Sequence, residues 1–203
     1  MPLHEFTALL VLASAMSFSP GPNTTLSTAL AANHGLRRSL RFVLAVPCGW
    51  GLLLLLCAAG IGAMVAAAPA LRWLMQGLGI AYLLWLAFKL WGSGRLPPTQ
   101  AQAHSAPLQV GFWQGVALQF VNIKAWLLAL TIVAGWVAGK PDALLRLAVV
   151  LPVMLCYALA SNLLYACLGA LLRGWLAQGR RLLWFNRGMA ALLVATAVWM
   201  LRA

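Results

Sequence analysis

The sequence predicts an all-α membrane protein of six transmembrane helices, built as two inverted three-helix repeats with a broken first span and a candidate break in the fourth. Three observations carry this. Six apolar runs, at about residues 3–32, 40–68, 71–91, 110–137, 143–172 and 182–201, equal or exceed the ~20 residues a helix needs to cross a ~30 Å hydrocarbon core. Lys and Arg alternate, heavy then light, between the runs. The odd connections carry Arg37, Arg38 and Arg41, then Lys89 and Arg95, then Arg173, Arg180, Arg181 and Arg187; the even ones and the C-terminus hold Arg72, Lys140, Arg146 and Arg202. Positively charged short loops stay cytoplasmic, so the odd connections face in and both termini face out. Finally, the halves are weakly alike: Gly79-Ile80-Ala81-Tyr82-Leu83-Leu84 matches Gly188-Met189-Ala190-Ala191-Leu192-Leu193, and Pro47 and Cys48 find loose counterparts in Pro152 and Cys156. Three spans per half makes the halves inverted, an architecture of alternating-access transporters.

Composition narrows the function classes. At 64% hydrophobic and 8% charged residues, the 203-residue chain leaves no room for a separate soluble domain. It reads as a single transmembrane domain over 1–203, with half-repeats of about 1–96 and 106–203. A polar linker at about 93–108, with Pro97, Pro98 and Pro107, joins them. The net charge of +12 sits in short loops flanking spans, so it reads as topology signal beside anionic membrane lipid, with no nucleic-acid partner. The N-terminus lacks the basic n-region of a cleavable signal peptide, although Ala29-Leu30-Ala31 resembles a cleavage triplet. Glu5 and Asp142 are the only acidic residues, and both fall at span ends or in a loop, as do His4, His34 and His104. A buried carboxylate for metal, proton relay or general base is therefore missing. No catalytic residue, metal site or cofactor is assigned.

Two interruptions carry the candidate site. In the first run, Ser19-Pro20-Gly21-Pro22-Asn23-Thr24-Thr25 cannot continue a straight helix, because two prolines remove N–H donors around a glycine. Ser14, Ser17, Gly21, Thr24 and Thr28 recur at helical spacing and predict a small polar stripe on one face. In the fourth run, Lys124 is the only charged residue deep within any apolar stretch, and it follows Val110 by 14 residues, or ~21 Å of helix. An intramembrane cation is by default a functional-site hypothesis. The bland alternatives are a neutral amine or an ammonium solvated by backbone carbonyls near the Pro-Gly-Pro break. Gly111, Gly115, Gln119 and Asn122 share a face, whereas Lys124 lies about 200° around an unbroken helix from Asn122. Both can serve one cavity only if the helix unwinds between them, and no proline enforces that. The fifth run adds Tyr157, Ser161, Asn162 and Tyr165, either as a polar wall or as interhelical hydrogen bonding.

At these residues the chain resembles the LysE/RhtB family of bacterial amino-acid exporters. The likeness spans nearly its whole length: Ser19-Pro20-Gly21-Pro22-Asn23 matches the family's Pro-Gly-Pro signature, and Gly79-Ile80-Ala81-Tyr82-Leu83-Leu84-Trp85-Leu86 its Gly-x-x-Tyr-Leu segment. Asn122-Ile123-Lys124 is similar to its Asn-Pro-Lys motif, and the basic approach to Asn186-Arg187 resembles the lead into its last span. Two departures stand out. Asn23 occupies a position where the family often has Asp, and Ile123 replaces the motif proline. The resemblance implies multi-pass insertion in the bacterial inner membrane, periplasmic termini, and secondary active export of amino acids or related zwitterions.

The substrate-binding residues expected are Ser17, Pro20, Gly21, Pro22, Asn23, Thr24, Gln119, Asn122, Lys124, Tyr157 and Ser161. Lys124 attracts the substrate α-carboxylate, helped by N–H groups where the first span resumes; Asn23, Thr24 and Ser17 hydrogen-bond it. Free carbonyls at the preceding helix end receive the ammonium. A rival reading takes Cys48, Cys57, Cys156 and Cys167, two per half, as a membrane thiol–disulfide electron carrier. The absence of Cys-x-x-Cys argues against it, and packing explains small apolar-tolerant cysteines more simply. The Gly111/Gly115 pair suits helix contact within a protomer or between protomers of a homo-oligomer.

Overall fold

The computed structural model describes residues 1–93 and 110–202, which are helical with no strand among them. Most of the expected linker, with Arg95 and His104, lies outside the described residues. The first run divides into α1 (Leu3–Phe18) and α2 (Pro22–His34). Ser19 leaves α1 with extended backbone, and Pro22 opens α2 in the first turn, where a missing N–H goes unnoticed. α3 (Leu36–Ala58) covers most of the second run. The expectation of one span over 40–68 is corrected here, because Gly60 takes the left-handed conformation at φ 91° and a separate short helix, α4 (Ile61–Ala67), follows.

α5 (Pro69–Gly92) again opens on a proline. The fourth run divides into α6 (Phe112–Val121) and α7 (Ile123–Ile132), and α7 continues into a π-helical segment, Val133–Val137. α8 (Ala143–Leu176) runs past its expected end at 172 and carries Pro152 without stopping, while α9 (Arg181–Met200) follows the basic connection. Among the described residues, α3, α5, α8 and α9 are long and apolar enough to cross a membrane, and the bent pair Phe112–Val121 with Ile123–Val137 makes a fifth. At 16 residues, α1 is too short to span alone.

Small residues set the packing. Gly169 of α8 lies so close to the Thr28 carbonyl that a Cβ there would overlap it, which brings α2 onto α8. Gly115 of α6 meets Ala45 and Phe42 of α3, so that glycine works within the protomer. Gly79 of α5 sits against the Val121 carbonyl, whereas Gly188, its counterpart in the apparent repeat, touches nothing within 4 Å. One apolar core joins α2, α3, α5 and α9 through Leu26, Phe42, Leu86 and Leu193; a second joins α1, α3, α7 and α8 through Leu9, Leu53, Ile132 and Met154.

Polar clusters mark two ends of the bundle. At one, Asn33 and Asn186 exchange amide hydrogen bonds of 2.8 and 3.0 Å, and the Asn186 amide also donates to Ser93 Oγ at 3.0 Å. The Arg173 guanidinium reaches Gly35 at the same end. At the other, Arg146 pairs with Glu5 and with Asp142 (2.6 Å), Lys140 lies 3.7 Å from Glu5, and Trp136 donates to the Glu5 carbonyl at 2.7 Å. The Gln76 amide donates to the Met200 carbonyl.

Candidate functional site

The site is built where two helices break. At the first break, the Gly21 N–H donates to Thr24 Oγ1 at 3.0 Å, closing the start of α2, and Tyr165 donates to the freed Phe18 carbonyl at 2.9 Å. The polar stripe expected over Ser14–Thr28 is therefore divided rather than continuous. Ser14 donates to Tyr157 Oη at 3.1 Å, and Thr28 turns back to the Thr24 carbonyl at 2.8 Å.

The second break needs no proline. Asn122 leaves the helix at φ −91°, ψ 101°, and its side-chain oxygen accepts the Lys124 N–H at 3.2 Å, starting α7 as an N-cap. Trp126 Nε1 donates to the Phe120 carbonyl at 2.8 Å, satisfying a group the break would orphan. The resulting 68° bend removes the conflict in register, since Asn122 and Lys124 reach one cavity from opposite sides of a kink.

Lys124 crosses to the first break. Its Nζ donates to Ser19 Oγ at 2.6 Å, to the Ser19 carbonyl at 3.3 Å and to the Pro20 carbonyl at 3.5 Å, all at the negative end of the α1 dipole. No ion pair involves Lys124 among the described residues. The carbonyls expected to receive a substrate ammonium are thus already engaged by the lysine. The carbonyl-solvated ammonium, one of the bland alternatives, is the geometry seen, and it stands on the wall of a cavity.

That cavity has a volume of about 70 Å³. Of the expected site residues, Ser17, Gly21, Pro22, Asn23, Thr24, Asn122, Lys124 and Ser161 line it. Three do not. Pro20 borders an adjoining hollow that shares Gly21 and Lys124. Gln119 sits behind the wall and exchanges amide bonds of 2.9 and 3.1 Å with Asn23. Tyr157 holds α1 through Ser14 and packs edge-on against Phe18. Sequence reasoning missed the apolar part of the wall, with Trp50, Leu128 and Met154, because apolar residues carry no distinguishing signal inside apolar runs. It also left out Ser19, which lay within the quoted motif.

The family model of LysE type translocators matches residues 14–203. The chain belongs to that family. It is similar to the cysteine/O-acetylserine efflux protein of Klebsiella pneumoniae subsp. pneumoniae, 33% identical over 200 residues and covering 95% of this chain and 94% of that protein. Proteins of the same description from Salmonella typhimurium and Escherichia coli K12 are 33% identical over 190 and 183 residues, each covering 90% of both chains. No solved structure matches. In this LysE type translocator all four cysteines are free thiols, with Cys57 buried, Cys167 half-buried, and Cys48 and Cys156 exposed.

Proposed function

We propose that the protein exports small zwitterionic amino acids, of the cysteine and O-acetylserine class, across the bacterial inner membrane by secondary active alternating access. One observation carries the reading: the lone intramembrane ammonium of Lys124 stands on the cavity wall between two helix breaks, held by an alcohol and carbonyls and by no carboxylate. An incoming α-carboxylate is the anion this cation lacks. It displaces Ser19 from the amine and gains N–H groups at the start of α2. Oxygens of Ser161 and Asn122 face the substrate ammonium.

Six crossings fit the two polar ends. Glu5 and Asn33, at either side of the first run, belong to opposite clusters, and Ser93 and Asn186 join Asn33 at the end where the odd connections meet. Broken pairs open both halves, α3 packs on α8, and α5 packs on α9, as an inverted pair of three-span halves would. Rocking one half against the other exposes the cavity alternately, and Lys124 is the titratable group available for proton coupling.

In reconstituted vesicles loaded with radiolabelled cysteine or O-acetylserine, Lys124→Ala and Lys124→Gln should insert normally and abolish efflux, a loss of at least ~100-fold for a buried charge-assisted contact and its desolvated site. Wild-type rates from either variant overturn the reading. Relatives named as efflux proteins, and the lack of a Cys-x-x-Cys pair, leave the thiol carrier without a supporting observation.

A further inference from the structure

Trp50 is held in the cavity wall by an unusual local sequence. It lies between Gly49 and Gly51 on α3, and each glycine brings a different helix into contact. A Cβ on Gly49 would come within 2.8 Å of the Val116 carbonyl of α6; one on Gly51 would come within 2.8 Å of the Leu155 side chain of α8. Such approaches exclude any larger residue at these positions without rearrangement. α3 therefore lies against the α6 backbone on one flank and a Leu155 methyl on the other, with Trp50 between them in the cavity wall. Leu128 and Met154 pack with it in one apolar core.

The polar edge of this indole is free. Trp50 is 5% exposed, yet its N–H has no hydrogen-bond partner among the described residues, whereas Trp126 and Trp136 donate to the Phe120 and Glu5 carbonyls. The nitrogen is also absent from the polar atoms sealed off from water-sized contact, which are Tyr82 Oη and Arg187 Nε. A buried tryptophan N–H normally finds an acceptor. Trp50 lines a cavity whose polar side chains, Ser17 apart, are already hydrogen-bonded within the protein.

We propose that Trp50 determines substrate choice: its unpartnered N–H donates to an acceptor on the substrate side chain. The inference rests on the reading that the cavity takes small amino acids. The cavity adjoins a hollow that shares Gly21 and Lys124, so a side chain has room to extend past an amino-acid head group bound near Lys124. A carbonyl or hydroxyl oxygen is a competent acceptor and a thiol sulfur a weak one. The site thus favours side chains that offer an oxygen acceptor over those that offer a thiol or none.

The test is a substrate panel in vesicles: O-acetylserine, cysteine, and 2-aminobutyrate as an acceptor-free isostere of cysteine. Trp50→Phe keeps a ring in the wall and deletes the N–H. It should reduce the preference for O-acetylserine over 2-aminobutyrate by ~2–10-fold, while the cysteine ratio falls less. A Trp50→Phe protein that transports with unchanged substrate ratios overturns the proposal. Failure of the wild-type protein to move any of these amino acids instead sinks the export reading itself, so the two failures are separable.

Discussion

Two cations, Lys124 and Arg146, show how differently one residue class can be used in this chain. Arg146 is 8% exposed, and both acidic residues of the sequence converge on it: Asp142 one turn earlier and Glu5 from the start of α1. Its charge is spent on structure. Lys124 meets only neutral oxygens among the described residues, and under the proposed function its charge is the one left for a substrate anion. The Asp142 carboxyl is held below its ordinary range, chiefly by the hydrogen bond from Arg146 and further by that residue's positive charge. A carboxyl depressed by folding contributes stability that is present above its unfolded pKa of about 3.9 and lost as pH falls through the lower folded value. Thermal melting in detergent should accordingly show stability falling with acidification below that point. Asp142→Asn should flatten this part of the profile; an unchanged pH dependence would remove Asp142 from the account.

At the scale of helices, the breaks and close approaches decide the site, and the closest approach gives the sharpest test. Gly79 presses α5 onto the Val121 carbonyl, one residue before the Asn122 kink. A methyl group there cannot be absorbed by a rotamer change, since its neighbour is backbone. Gly79→Ala should destabilise by ~1–3 kcal/mol, lowering the melting temperature in detergent, and should impair efflux by displacing α6 at its end. Gly188→Ala, which meets open space, should leave both unchanged. The first break was legible in the sequence because Pro20 and Pro22 announce it through missing donors. The second break was not, since its cause is an Asn cap and a Trp126 hydrogen bond that only three-dimensional contact reveals. Lys124 was found by its charge alone. Trp50 was hidden, for an aromatic residue in an apolar run has no contrast with its surroundings, and only the flanking Gly49 and Gly51 hint that its place is special. Tyr157, expected to bind substrate, lies off the cavity wall and bonds Ser14, docking α1 on α8.

For the whole molecule, the arrangement of its ends connects charge pattern with direction of transport. The end holding Asn33, Ser93 and Asn186 also gathers Arg173 near Gly35, so connections far apart in sequence come together in the way the alternation of basic residues requires. Under the orientation proposed from the positive loops, this end faces the inside of the cell and the Glu5–Arg146 cluster the outside. Single cysteines in a chain whose four native cysteines are changed to serine test that orientation directly. Ala138→Cys, on the exposed connection after the π-helical segment, should react with an impermeant maleimide added to intact cells. Gln178→Cys, on the exposed connection before α9, should react only after permeabilisation. Efflux by the serine-substituted parent also excludes obligatory thiol chemistry in the same preparation. Labelling in the reverse order would put the basic loops outside and invert the assignment of sides. Labelling of both positions from one side would instead break the alternation, and with it the inverted pairing of halves on which rocking access depends.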